Sequence, residues 1–278
     1  ILLEQEKLIH QVLSKPLKLQ KNSAMHKHKK KLGQHFIHDK NLINKIIRYI
    51  APMSSDEIIE IGPGDGALSY VISKDVKKLT LIEKDMNLIS ELKNGFKNAN
   101  NVVVKNEDIL KIDLSKIVKS KIRIIGNLPY NISTEILFKL LEISNNVNDM
   151  YFMLQKEVVD RIIAKPNSKI YGRLSVMIQV YYNTKKLFDI SPDVFVPKPK
   201  VFSSYIRLEP KQDVFKNLTH EANFKKIVNA AFATRRKMLK SSLKNLLNSD
   251  LLNKLGIKTD DRAENITPET FHNLARHV

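Results

Sequence analysis

The chain has 278 residues, 42% of them hydrophobic, and no cysteine. That length holds one substantial core with a small appendage, and the missing thiols exclude a disulfide framework, a thiolate metal site and a catalytic cysteine. Lys and Arg number 47 against 29 Asp and Glu, a net charge of +18, and so large an excess points to a polyanionic partner, nucleic acid before an anionic membrane surface.

No apolar run approaches the roughly 18 residues that span a bilayer, and no small-residue cleavage site follows an apolar core near the start. A cytoplasmic protein with no membrane attachment is expected, and no metal site is predicted. Residues 1–24 read as detached from the rest of the chain. They do not begin with methionine, whereas Met25 precedes His-Lys-His-Lys-Lys-Lys. An upstream or expression-derived extension is expected there, with a genuine N-terminal helix as the rival reading.

Apolar residues at 42, 43, 46, 47 and 50 predict a helix that stops at Pro52. Then the texture changes. Short β-branched runs occur at Glu57–Ile61, Leu79–Ile82, Val102–Val104, Ile122–Ile125 and Met150–Leu154. Helical patterns separate them, among them Leu88, Ile89 and Leu92, then Ile136, Leu137, Leu140 and Leu141. Strands alternating with helices predict an α/β fold, a mostly parallel sheet with helices on both faces. Val176–Tyr182 and Ser203–Leu208 alternate, so both are predicted as antiparallel strands at the sheet edge. Beyond Pro210 the strand signals stop and helical spacing takes over. The expected division is therefore 25–211 for the α/β domain and 212–278 for a small all-helical domain.

Three of the eight glycines fall at Gly62, Gly64 and Gly66, between a strand and a helix. Glycines there let the backbone turn tightly and approach a ligand. The spacing also fits the dinucleotide fingerprint, and Glu83, at the end of the second strand, stands where an acidic side chain accepts hydrogen bonds from a ribose. NAD and S-adenosylmethionine both carry that ribose, so the loop leaves both open. Asp108 at the third strand's end suits an adenine amine or, equally, an ordinary helix cap.

Asn127-Leu128-Pro129-Tyr130 comes directly after the fourth strand, at the end where open parallel sheets bind ligands. Taken alone it is an ordinary turn sequence. Behind a glycine loop it reads as a site for an adenine amine. That nitrogen is a poor nucleophile because its lone pair is delocalised into the ring. Two acceptors on its hydrogens, the Asn127 side-chain oxygen and the Leu128 carbonyl held by the rigid Pro129, free the lone pair. Tyr130 offers a flat face to a flipped-out base. Together these features point to methyl transfer from S-adenosylmethionine.

Several blocks in order carry a resemblance: Gly33-Gln34-His35-Phe36, Glu60-Ile61-Gly62-Pro63-Gly64, Gly126 to Ser133, Phe152 to Val158, Tyr171 to Ser175, Phe195 to Val201 and Arg262-Ala263-Glu264-Asn265. From about Lys31 to the C-terminus the chain resembles the small-subunit ribosomal RNA adenine dimethyltransferases, relatives of the erythromycin-resistance methyltransferases. The resemblance implies a Rossmann-like class I fold with seven strands and S-adenosylmethionine as cofactor. The substrate it implies is 16S rRNA in an immature small subunit, with two adjacent adenosines near the 3′ end converted to N6,N6-dimethyladenosine by a monomeric enzyme. It also implies that His35 and Ile37 line the cofactor site with Gly62, Glu83, Asp108 and Asn127, and Gln34, Gly64, Lys84 and Ile109 are counted with them. Many relatives have Asn where this chain has His35. Phe195 is implied to clamp the target base opposite Tyr130, against the reading of an ordinary core phenylalanine.

For RNA, Lys29, Lys30 and Lys31 form a basic arm, and Arg235, Arg236 and Lys237 precede Lys240 and Lys244. Arg236, Lys240 and Lys244 are spaced by four, so a single helix face is predicted to present them to phosphate. The rival functions are a methyltransferase of large-subunit rRNA or DNA, a non-catalytic RNA-binding assembly factor, and an NAD-dependent dehydrogenase. The last accounts for neither the charge nor the tetrapeptide.

Overall fold

The structure, a computed structural model, describes residues 35–234, 236–258 and 260–278. The extension 1–24, the basic arm at Lys29, Lys30 and Lys31, Gln34 and Arg235 lie outside the described residues.

Seven strands form one sheet: β2 (Glu57–Ile61), β3 (Lys78–Glu83), β4 (Val102–Asn106), β5 (Ile122–Asn127), β6 (Val147–Gln155), β7 (Tyr182–Ile190) and β9 (Ser203–Pro210). Their order is β4-β3-β2-β5-β6-β9-β7, parallel from β4 to β6 and antiparallel where β9 joins β6 and β7. The order reverses between β2 and β5, the place where a doubly wound sheet opens a ligand crevice at its carboxyl ends. A separate two-stranded ladder pairs β1 (Phe36–Ile37) with β8 (Phe195–Val196).

Alternation along β2 divides the core. Ile59 and Ile61 join one cluster with Phe152 and with Ile136 and Leu137 of helix α4 (Ser133–Leu140). Ile58 joins the other, with Ile46 of α1 (Lys40–Ile50), Ile72 of α2 (Ser69–Ile72) and Leu92 of α3 (Met86–Gly95). Side chains alternate across a strand, so one β-branched run serves both layers. Asp39 caps α1 by accepting from the Leu42 amide at 2.7 Å, and Ala51 ends it with φ of 46°. Beneath that end, buried Arg123 donates to Asp149 and Asp56, each at 2.7 Å, and to the Ile50 carbonyl at 2.6 Å. It ties α1 to the amino end of β5.

Two expectations are corrected. Val176–Tyr182 is not a strand: Arg173–Tyr181 is helix α6, which comes after α5 (Lys156–Ile162), and the edge strand β7 begins only at Tyr182. Leu174, Ser175, Val176, Met177, Ile178, Val180 and Tyr181 are all buried. A helix buried all round loses its amphipathic period and imitates a core strand. The other correction concerns the basic stripe. After α7 (Leu218–Phe232), helix α8 covers only Leu239–Ser242. Arg236 and Lys244 stand outside it, so no helix face carries the three cations together. Leu239, Leu243 and Leu247 are buried, and turns rather than a continuous helix bring them inward. The C-terminal helices, completed by α9 (Ser249–Lys254) and α10 (Pro268–Leu274), share one apolar cluster with α6 and the sheet. Among the described residues no helix is long and apolar enough to cross a membrane.

Candidate functional site

A cleft opens at the carboxyl ends of β2, β3, β4 and β5. The predicted residues His35, Ile37, Gly62, Gly64, Glu83, Lys84, Asp108, Ile109, Asn127, Leu128, Pro129 and Tyr130 all line it. The glycine loop is built for close approach. Gly62, Gly64 and Gly66 have φ of 66°, 61° and 85°, a region costly for other residues. A side chain at Gly126 would meet the Ile61 carbonyl at 2.6 Å, so β5 can run this close to β2 only with glycine there. The helix after the loop is a single turn, Ser69–Ile72, shorter than the dinucleotide fingerprint implies.

Asn127 donates through Nδ2 to the His35 carbonyl at 2.7 Å. A carbonyl only accepts, so this bond decides which end of the carboxamide is which. Among the described residues no donor is bonded to Oδ1 of Asn127 or to the Leu128 carbonyl. The Leu128 amide is held by the Met153 carbonyl at 3.2 Å. Tyr130 is anchored through its hydroxyl to Ser203 Oγ at 2.5 Å, and burial pushes its phenol pKa up.

Phe195 is placed differently. It is 2% exposed, in the apolar cluster beneath α1. The ring between it and Tyr130 is His35, 5.2 Å from Tyr130 and 6.5 Å, edge-on, from Phe195. Nδ1 of His35 is bonded to the Pro197 carbonyl at 2.7 Å, so it is the protonated nitrogen. Tyr130 and Phe195 thus both neighbour the same imidazole.

The cleft is acidic although the chain is strongly basic. Glu60, Asp65, Glu83, Glu107 and Asp108 line it, with Lys84 as the opposing ammonium. Glu83 accepts from the Lys84 and Asp85 amides, both at 2.9 Å, and more distantly from Gly64 at 3.4 Å. Burial raises its pKa. Asp108 pairs with Lys84 at 2.8 Å, which lowers its pKa, and also caps the Leu110 amide at 3.0 Å. The cap therefore uses one oxygen, Oδ1, and the ion pair the other, Oδ2. Glu60 was missed as a site residue. It is 2% exposed, its carboxylate accepts from Ser69 at 2.5 Å, and burial pushes its pKa up to about 7. An acidic residue inside a β-branched strand, two before the glycine loop, was the available signal.

This charge separates the two cofactors that the glycine loop left open. A pyrophosphate would face this cluster of acidic side chains, while a sulfonium and an ammonium would be attracted by it. A doubly wound sheet with an acidic glycine-loop cleft and an acceptor pair at the end of β5 defines a class I S-adenosylmethionine-dependent methyltransferase. The model of the family described as ribosomal RNA adenine dimethylase matches residues 25–278, and the chain belongs to that family. It is 41% identical over 253 residues to the ribosomal RNA small subunit methyltransferase A of Neisseria meningitidis, covering 91% of this chain and 97% of that protein. It is 46% identical over 253 residues to the protein of the same name from Buchnera aphidicola, covering 90% and 96%. Among solved structures, a dimethyladenosine transferase from Plasmodium falciparum has a TM-score of 0.75 at 25% identity, covering 86% and 96%. The 23S rRNA methyltransferase ErmE has a TM-score of 0.67 at 21% identity, covering 87% and 98%, and shares the fold. The protein is an rRNA adenine dimethyltransferase that uses S-adenosylmethionine.

Proposed function

We propose that the chain dimethylates N6 of two adjacent adenosines near the 3′ end of 16S rRNA, acting as a monomer on an immature small subunit in the cytoplasm. The observation that carries the site assignment is the Asn127–His35 bond, which leaves the Asn127 oxygen and the Leu128 carbonyl as a pair of free acceptors beside Tyr130. The names of the relatives support the small subunit as substrate.

S-adenosylmethionine supplies an electrophilic methyl group when bound. Glu83 accepts from the ribose hydroxyls, Asp108 from the adenine amine, and the side chains of Ile37 and Ile109 give the apolar walls. Asn127 and Leu128 draw the two amine hydrogens of the target base toward their oxygens and localise the nitrogen lone pair. Tyr130 stacks on that base and fixes its direction of attack, with Phe195 on the far side once the His35 ring has moved. Proximity and alignment dominate such a reaction, so no strong base is required. The division into residues 25–211 for catalysis and 212–278 for RNA contact belongs to the same proposal. Arg236, Lys237, Lys240 and Lys244 are all exposed in the second part, within the short helix α8 and on either side of it, which supports contact with a phosphate backbone.

The test is tritium transfer from labelled S-adenosylmethionine to undermethylated small subunits. Asn127→Ala is expected to abolish transfer while RNA binding persists. Transfer to large-subunit rRNA alone would overturn the substrate assignment, and no transfer to any rRNA would overturn the catalytic one.

A further inference from the structure

The loop from β8 to β9 joins the two aromatic neighbours of His35. At its start Phe195 faces the His35 ring, and the Pro197 carbonyl holds that ring's nitrogen at 2.7 Å. At its end Ser203 holds the Tyr130 hydroxyl, and the Phe202 carbonyl accepts from the Lys156 amide at 2.9 Å. A segment tied to the site at both ends lies along its rim.

That rim is unexpectedly apolar. Val196 is 48% exposed, Val201 44% and Phe202 54%, although Phe195 and Ser203 beside them are buried. Clustered large apolar side chains left in water at the edge of a reactive cleft mark a contact surface. Lys198 and Lys200 are exposed on the same loop. Lys198 pairs with Asp193, whereas Lys200 makes no ion pair among the described residues. An exposed aromatic ring next to a free cation is the combination that holds single-stranded nucleic acid, with the ring taking a base face and the ammonium a phosphate.

A target adenine must leave its stack to reach Tyr130. Its neighbours in the strand then cross the rim with one stacking face exposed. We propose that Phe202 is the stacking platform for a base adjacent to the target adenosine, with Lys200 holding the phosphate between them. This rests on the rRNA reading above and adds a residue that selects substrate without touching a reacting atom. It therefore acts on KM and leaves kcat unchanged.

The chain has no tryptophan, so Phe202→Trp introduces a single reporter at the platform. The experiment compares Phe202→Trp, Phe202→Leu and Phe202→Ala. It measures tritium transfer to small subunits and the binding of a single-stranded RNA containing two adjacent adenosines. The Trp variant is expected to keep the wild-type KM and to lose most of its emission on binding that RNA, but not on binding the same RNA with an abasic ribose beside the target adenosine. The Leu and Ala variants are expected to raise KM about tenfold or more, the loss of one base–aromatic stack, with kcat within about twofold. Lys200→Gln is expected to raise KM and to reduce the salt slope of RNA binding by about 0.7, one phosphate contact to a single strand. Wild-type KM in Phe202→Leu would overturn the stacking assignment, since leucine keeps the apolar contact but not the flat face. Unquenched emission at saturating RNA would overturn it as well. A wild-type enzyme that transfers nothing to small subunits would overturn the rRNA reading instead, and the quenching measurement would still decide Phe202.

Discussion

Asn127 Nδ2 and the main-chain oxygen of His35 meet at 2.7 Å across 92 residues of sequence. The bond ties the segment entering the fold to the end of β5. It also turns the Asn127 oxygen away from the His35 carbonyl.

Asn127→Asp keeps the shape and removes the donor. A carboxylate facing the His35 carbonyl is repelled, so the oxygen is no longer held in place. The expected result is a loss of kcat of about a hundredfold or more, as for removal of a preorganised polar group in a reactive site. RNA affinity is expected to change by less than about twofold. Single-turnover kinetics and RNA binding check this, and an unchanged kcat would show that the orientation of the amide does not matter.

The His35 ring stands 5.2 Å from Tyr130 and is held by the Pro197 carbonyl. A base that enters between Tyr130 and Phe195 must displace it and break that bond. His35→Ala empties the slot and keeps the main-chain oxygen that Asn127 needs. KM for small subunits is expected to fall about threefold to tenfold, the worth of one hydrogen bond no longer broken, with kcat within a few-fold. A raised KM would show that the imidazole helps to hold the base instead.

Glu60 gives a pH signature. Burial raises its pKa from 4.5 to about 7 in the fold. The native state therefore keeps a proton that the unfolded chain releases. Its stabilising contribution is fully present below pH 4.5 and is lost as pH rises through 7, by about 3 kcal/mol in all. Glu60→Gln is expected to remove that slope from urea unfolding measured between about pH 5 and pH 8. Binding of a cationic cofactor favours the ionised form, so affinity for S-adenosylmethionine should rise with pH in the wild type and stay flat in the variant. Calorimetry at several pH values reads this, and parallel pH profiles would sink it.

Arg123 is a structural contrast. It lies at the amino end of β5, four residues and roughly 13 Å of strand from Asn127. Arg123→Met leaves the buried carboxylate of Asp56 without its cation and leaves Asp149 only the longer pair with Arg207, at 3.6 Å. A destabilisation of about 3–5 kcal/mol is expected by urea unfolding. The activity per folded molecule should be unchanged, and a specific loss of kcat would contradict the separation.

The strands around the cleft were legible because each is a short β-branched run closed by a turn residue, and the parallel sheet buries both of its faces. The antiparallel strand at Ser203–Leu208 was legible too, although β9 lies one place in from the edge; the outermost strand was not. Strand β7 carries Lys185, Lys186 and Asp189, charges that protect a sheet edge from further pairing and that dilute a strand pattern. Helix α6 failed for the opposite reason, seven of its nine residues being buried, which blurs the helical period. The stripe Arg236, Lys240 and Lys244 failed because equal spacing indicates a shared face only where the helix continues, and here it stops after Ser242.

The sequence by itself determined the chemistry available at the cleft. Glycine spacing, an acidic strand end and Asn127-Leu128-Pro129-Tyr130 are local patterns, and a backbone turn or an acceptor pair needs only a few adjacent residues. What only the tertiary structure decided is which groups face one another. The register of β1 on β8 brings the His35 segment against Asn127 and sets its ring between Tyr130 and Phe195. Packing against α1 buries Phe195, and the return of β9 beside β6 anchors Tyr130 to Ser203 and leaves Phe202 in water. Such contacts join residues tens to more than a hundred positions apart, where sequence spacing carries no information about distance.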